Sequence, residues 1–179
     1  MLAAGVVLLG VATFIMLNTA IFQARAKRSL APQVLRLGTD EVKRPQRTIN
    51  EGDVLGRIDI PRLGVSVAIL QGTSSQTLRL GAGHIEGTPL PGEAGNSGVA
   101  GHRDTFFRNL ENIRPDDEIQ LHTSTRFTLY KVAWVKIVMP DNVGVLSSAT
   151  GSAITLVTCY PFHFLGSAPK RFIVRAYKH

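Results

Sequence analysis

Cys159 is the only cysteine in the chain, and it closes the run Thr155-Leu156-Val157-Thr158-Cys159. Three of those five residues are β-branched, and Ala153 and Ile154 extend the apolar run upstream, so the stretch reads as a buried strand. Pro161, two residues on, cannot continue a central strand. A thiol at such a strand end is held by the sheet and opens onto a loop, a good place for a nucleophile. A lone cysteine is also, as a rule, a small buried hydrophobe, so the thiol needs partners before chemistry can be argued.

A thiol of ordinary pKa, about 8.5, is little ionised at neutral pH and needs a base beside it. The chain offers His84, His102, His122, His163 and His179. His179 is terminal and expected to fray. His122 lies in an alternating strand among polar neighbours and is expected to be solvated. His163 follows Cys159 by four residues but sits past Pro161, and His84 follows a glycine-rich turn, where it is expected to support the loop. His102 ends the short apolar strand of Val99-Ala100-Gly101 and so occupies the same kind of strand end as Cys159. Spacing does not make the two neighbours, and a hydrogen-bonded structural histidine is the alternative. An acyl transfer also needs donors for a developing oxyanion. Arg171 opens the last apolar strand, Arg171–Tyr177, and could aim its guanidinium at a carbonyl. Otherwise it is an edge charge that discourages aggregation. Arg175 shares its strand face, further from the mouth.

The elements that would position these residues are short strands. Val54–Ile60 alternates and stops at Pro61, and Val65–Leu70 follows as the second arm of a hairpin. Ser75–Leu80 reads as a short helix ended by Gly81-Ala82-Gly83. Ser97–Gly101 is a buried strand, and Thr105–Leu110 a helical turn with Asp104 as N-cap. Glu118–His122 and Arg126–Val138 are strands joined by a turn, followed by Ala153–Cys159 and Arg171–Tyr177. Many short strands, frequent turns and few helices predict an all-β fold, closed or nearly closed into a barrel.

Charge divides the chain. Residues 1–23 carry no charged side chain, and their length matches a bilayer core of about 20 residues. They are expected to form a transmembrane anchor; a cleaved signal peptide is the alternative, with weak small-residue sites at Thr19-Ala20 and Ala24-Arg25-Ala26. Residues 24–48 hold seven Lys/Arg against Asp40 and Glu41 and read as a basic juxtamembrane linker. Residues 49–179 hold 13 Lys/Arg against 11 Asp/Glu. The formal charge of +7 therefore sits mostly in the tether, and the folded part lacks the footprint of a nucleic-acid binder.

Three segments together resemble the sortases, membrane-anchored cysteine transpeptidases of the bacterial surface. Thr155–Cys159 resembles their TLxTC signature; Gly81–Glu93 with Gly95–Arg103 is similar to the segment carrying the family histidine; Gly166–Val174 is similar to the segment carrying the family arginine. The details are most like class D, with class E next. The resemblance implies an eight-stranded β-barrel with short helices over residues 49–179. It implies Cys159 as nucleophile, His102 as general acid/base, and Arg171 as oxyanion or positioning residue, helped by a backbone N–H near Thr158 or Tyr160. It also implies a catalytic domain outside the cell membrane, although the basic residues after the span would by the charge rule face the cytoplasm. Its expected partners are exported proteins bearing an LPxTG-like C-terminal sorting motif, and an amine of cell-wall peptide or pilin lysine as acceptor. No cofactor is expected.

Three rivals remain at this point. Water could be the acceptor, making a hydrolytic cysteine peptidase. The chain could be a non-catalytic, membrane-tethered β-domain. Cys159 and His163 have a permissible zinc-ligand spacing with His102 as a third ligand, but no second pair exists. A calcium site is not expected either, because the 139–150 loop holds Asp141 as its only acid. Loops 71–80 and 139–150 are expected to wall the substrate pocket.

Overall fold

The computed structural model describes residues 13–14, 16–17, 19–25 and 48–179. From Val54 onward the chain forms eight strands: β1 (Val54–Ile60), β2 (Val65–Gln71), β3 (Ala82–His84), β4 (Gly95–Ala100), β5 (Glu118–Thr123), β6 (Phe127–Val138), β7 (Ser152–Tyr160) and β8 (Lys170–Lys178). They close into a barrel in the order β1-β2-β3-β4-β7-β8-β6-β5. One short α-helix, α1 (Ser75–Leu80), lies between β2 and β3, capped by Ser74, whose hydroxyl accepts from the Thr77 N–H.

Alternation decides which residues fill the barrel. Ile58, Ile69, Leu121, Tyr130, Leu156 and Val174 belong to one buried core cluster. On β7 the inward positions are therefore Ile154 and Leu156, and the odd positions Val157 and Cys159 face outward. Tyr160, Phe162 and Phe172 pack on one another at the end of the barrel nearest Cys159.

Two pairings are parallel, β2 with β3 and β4 with β7. The second sets the site. Its register runs from Gly95 opposite Ser152 to Ala100 opposite Val157. β7 and β8 are antiparallel, with Cys159 directly opposite Arg171.

Two local expectations are corrected. The helical turn lies at Arg108–Asn112 and is a 3-10 turn; its N-cap is Phe107, with no side-chain cap, so Asp104 does not cap it. The glycines after α1 do more than end a helix, since Ala82–His84 is strand β3. Gly83 has no room for a side chain there, because a Cβ would sit 2.3 Å from the Gly72 carbonyl oxygen. A three-residue strand containing glycine carries too little alternation to be read from sequence.

Residues 19–25 are helical. Gln23 docks this segment on the barrel: its Oε1 accepts from the Ala68 N–H at 2.9 Å, and its Nε2 donates to the Leu80 carbonyl. Among the described residues no helix is long and apolar enough to cross a membrane. The anchor expected over 1–23 and the linker expected over 24–48 fall largely outside the described residues.

Candidate active site

The parallel register brings the sequence-predicted residues together. Beyond Ala100 and Val157 one more bond joins the strands, from the Gly101 N–H to the Val157 carbonyl at 3.0 Å. His102 follows two residues after Ala100 and Cys159 two residues after Val157, so both lie just past the last paired rung, at the same end of the barrel. Arg171 flanks Cys159 on its other side. The three residues thus belong to a row of neighbouring strand ends at one end of the barrel. All three residues are half-buried, and the thiol is free.

The main chain at His102 is fixed from several directions. The buried Thr158 hydroxyl donates to the Gly101 carbonyl at 2.7 Å. The His102 carbonyl accepts from the Phe107 N–H at 3.0 Å. The Phe107 ring, fully buried, lies where a Gly101 side chain would be, since a Cβ would come within 2.5 Å of its Cδ2. Glycine is therefore required just before His102 for Phe107 to pack there. Arg171 is held by its own loop, its Nη1 donating to the Ala168 carbonyl at 3.2 Å and the Lys170 carbonyl at 3.0 Å. Thr158 points inward, its hydroxyl spent on Gly101, and the Tyr160 ring joins the aromatic plug.

The other histidines are engaged elsewhere. His84 is buried, with Nδ1 2.9 Å from Gln71 Oε1 and Nε2 3.0 Å from the Pro89 carbonyl, so it secures the β3–β4 loop. His163 Nε2 lies 2.9 Å from Glu111 Oε2. His122 is not freely solvated as expected. It is half-buried between the Phe127 ring and Asp59, with Nε2 3.1 Å from Asp59 Oδ2 but without hydrogen-bond alignment. Burial, and then the Arg57 charge, pull its pKa down. His179 is tied by its N–H to the Leu129 carbonyl at 3.0 Å. Arg175 is buried, with Nη2 donating to the Val145 carbonyl at 2.6 Å and its guanidinium over Trp134. It holds the 143–146 segment against the barrel. Among the described residues no three ligating side chains gather as a metal site.

A cleft of about 550 Å³ lies at the opposite end of the barrel, lined by Val54, Leu55, Leu90, Pro91 and the 123–126 turn. None of Cys159, His102 and Arg171 lines it. That cleft offers neither a thiol nor an imidazole, whereas the end of the barrel that carries Cys159 offers both, together with a guanidinium.

Such a row suits acyl transfer: a thiol to attack, an imidazole to move its proton, and a guanidinium to meet negative charge on oxygen. Comparison with known proteins agrees. The sortase-domain family model matches residues 58–179. The chain belongs to the sortase family. It is 30% identical over 183 residues to Sortase D of Bacillus subtilis (strain 168), covering 97% of this chain and 92% of the relative. Among solved structures it resembles a Clostridium perfringens Sortase D5 transpeptidase, with 32% identity, TM-score 0.66, and coverage of 73% of this chain and 82% of that one. It also resembles Clostridium perfringens sortase C solved with the C-terminal cell wall sorting motif, with 30% identity, TM-score 0.68, and coverage of 92% and 87%. Sortases are cysteine transpeptidases, and the one cysteine of this sortase is the one at the barrel rim.

The sequence reading missed Arg103 and Asn96. Arg103 Nη2 donates to the Phe164 carbonyl at 2.7 Å and the Gly166 carbonyl at 3.0 Å. Asn96 is buried; its Oδ1 accepts from Thr155 at 2.6 Å, and its Nδ2 donates to the Ser147 carbonyl at 3.3 Å. The only signal for Arg103 was its place directly after His102, while Asn96 stands just before the strand expected over Ser97–Gly101.

Proposed function

We propose that this sortase, tethered by residues 1–23 at the cell surface, cleaves an LPxTG-type sorting motif in exported proteins and passes the acyl group to an amine. The pairing of Cys159 with Arg171, and the place of His102 just past the parallel β4–β7 ladder at the same end of the barrel, support the assignment of roles. Cys159 Sγ attacks the scissile carbonyl, and Arg171 meets the oxyanion with its guanidinium N–H groups, joined by a backbone N–H near Thr158 or Tyr160. His102 protonates the departing amine, leaving a thioester on Cys159. An incoming amine, from cell-wall peptide or a pilin lysine, loses its proton to His102 as it attacks, and the thiol is released. Each half-reaction breaks one acyl bond as it forms another, which divides a difficult exchange into two easier ones. Similarity along nearly the whole of Sortase D favours class D.

The test is direct. The full chain, its Cys159→Ala variant and its His102→Ala variant are incubated with LPxTG-type peptides and a glycine-based amine, and products are read by mass. A peptide–amine conjugate that needs Cys159 and His102 is expected. Cleavage to the free acid with no conjugate would mean a hydrolytic peptidase. Neither product, with no adduct on Cys159, would leave a non-catalytic domain.

A further inference from the structure

The loop joining β7 to β8, residues 161–169, links Cys159 to Arg171 along the chain. It has two polar attachments to the segment that follows β4. On the outside, exposed His163 meets Glu111 at 2.9 Å. Nearer the site, Arg103 Nη2 grips two loop carbonyls, Phe164 at 2.7 Å and Gly166 at 3.0 Å. The guanidinium also lies over the Phe164 ring, 6.0 Å from its centroid. Its Nη1 is buried without a hydrogen-bond partner. A half-buried guanidinium that leaves one buried nitrogen unpaired is a poor device for stability alone, and departures of this kind collect where geometry serves function.

The grip leads to Arg171. Two residues past Gly166, the Ala168 carbonyl receives Arg171 Nη1, and so does the Lys170 carbonyl. Ala168 belongs to the loop that Arg103 holds and Lys170 opens β8, so the loop supplies one of the two carbonyls that set the Arg171 guanidinium. His102 and Cys159 do not depend on this loop, because the Gly101–Val157 and Thr158–Gly101 bonds fix them within the sheet.

We propose that Arg103 is a positioning residue for the transfer reaction, acting through the β7–β8 loop to hold the Arg171 guanidinium in place. This rests on the catalytic role given to Arg171 above. Removing an oxyanion donor costs on the order of 10²-fold in kcat. Loosening its support costs less, so Arg103→Ala lowers kcat about tenfold and leaves KM within about twofold. Arg103→Lys, whose ammonium can reach both carbonyls, restores kcat to within about threefold. The double variant R103A/R171A is no slower than R171A, since both act through one guanidinium.

The experiment measures peptide-to-amine transfer by the full chain in these variants. Hydrogen exchange is followed in parallel and needs no substrate. R103A is expected to speed exchange of amides in 162–169 and to leave those of β7 unchanged. Should R103A not fold, Arg103→Gln takes its place in every comparison. Unchanged exchange in the loop, unchanged kcat, a fall in KM-linked binding alone, or losses that multiply in the double variant would each overturn the proposal. If the wild type transfers nothing while exchange responds as expected, the clasp stands, and it is the catalytic reading that fails.

Discussion

The Thr158 hydroxyl offers the sharpest test of how the site is held. It is buried at 3% exposure and donates to the Gly101 carbonyl at 2.7 Å, across 57 residues of chain. This bond joins the residue before Cys159 to the residue before His102, the proposed nucleophile and base. Thr158→Val keeps the shape and removes the donor, leaving a buried carbonyl short of its partner. Such a loss costs about 1–3 kcal/mol. With a urea slope of roughly 2 kcal/mol per molar, a loss of about 2 kcal/mol moves the unfolding midpoint down by about 1 M. Activity should fall further than stability explains. The bond sits at the last rung before His102 and Cys159, and a displacement of about 1 Å there can cost up to 10²-fold in rate. At a urea-free temperature where both proteins are folded, T158V is therefore expected to transfer peptide at least tenfold more slowly. Thr158→Ser keeps the donor and loses only a buried methyl, so it is expected to cost about 1 kcal/mol of stability while transferring peptide at close to the wild-type rate. If T158V unfolded at the wild-type midpoint and transferred at the wild-type rate, the claim that this hydroxyl joins the two strand ends would be wrong.

Other substitutions follow from the same geometry. Gly101→Ala drives a Cβ into the Phe107 ring, at a cost of about 1–3 kcal/mol, and displaces His102; thermal unfolding should show the loss, and adding Phe107→Leu should recover part of it. Asp117 is buried, accepts from the Arg114 N–H at 2.9 Å and pairs with Arg62, whose hydrogen bonds, against burial, hold its carboxyl below the usual range. A folded pKa below the unfolded value of about 3.9 means this contribution is complete above that value and is lost as pH falls through the folded one. Asp117→Asn should therefore lower the urea midpoint at pH 7 and flatten the stability profile below about pH 4. His122 is likewise lowered, first by burial, so its neutral form is favoured in the folded state, and stability should decline as pH drops below about 6.5. His122→Gln should remove that part of the decline, read as urea midpoints between pH 7 and pH 5.

The barrel was legible because its strands carry the right residues, in alternation on Val54–Ile60 and as nearly continuous buried runs on Val65–Gln71 and Ser152–Tyr160. Val54–Ile60, Val65–Gln71 and the strand ending at Cys159 each carry β-branched residues at buried positions, and turn residues bound them. β3 escaped notice because it is held by its neighbours and not by its own three residues. Two further 3-10 turns, Pro61–Leu63 and Val143–Leu146, are set by the chain reversals they make, which local preference encodes weakly. Arg103, Asn96 and the Arg175–Val145 contact were invisible for another reason. Each joins a side chain to a backbone carbonyl far away in sequence, and a carbonyl acceptor leaves no mark on residue type.

The proposal of His102 over its four rivals rests on topology that sequence reasoning could not reach. A histidine at a strand end and a cysteine at a strand end meet only if both ends lie at the same pole. Antiparallel neighbours would place the C-terminal ends of β4 and β7 at opposite poles. The parallel pairing of β4 with β7 places them together. The antiparallel β8 then begins where β7 ends, so its first residues, Arg171 among them, arrive at the same pole. One parallel and one antiparallel pairing therefore bring His102, Cys159 and Arg171, the proposed base, nucleophile and cation, to one end of the barrel from three distant segments. The period of two then selects the face: with Leu156 and Val174 turned inward, Cys159 and Arg171 turn outward. A slip of one residue in either pairing would keep the barrel closed but turn one of the three away, which is why the bonds at Gly101 matter more to the reaction than to the fold.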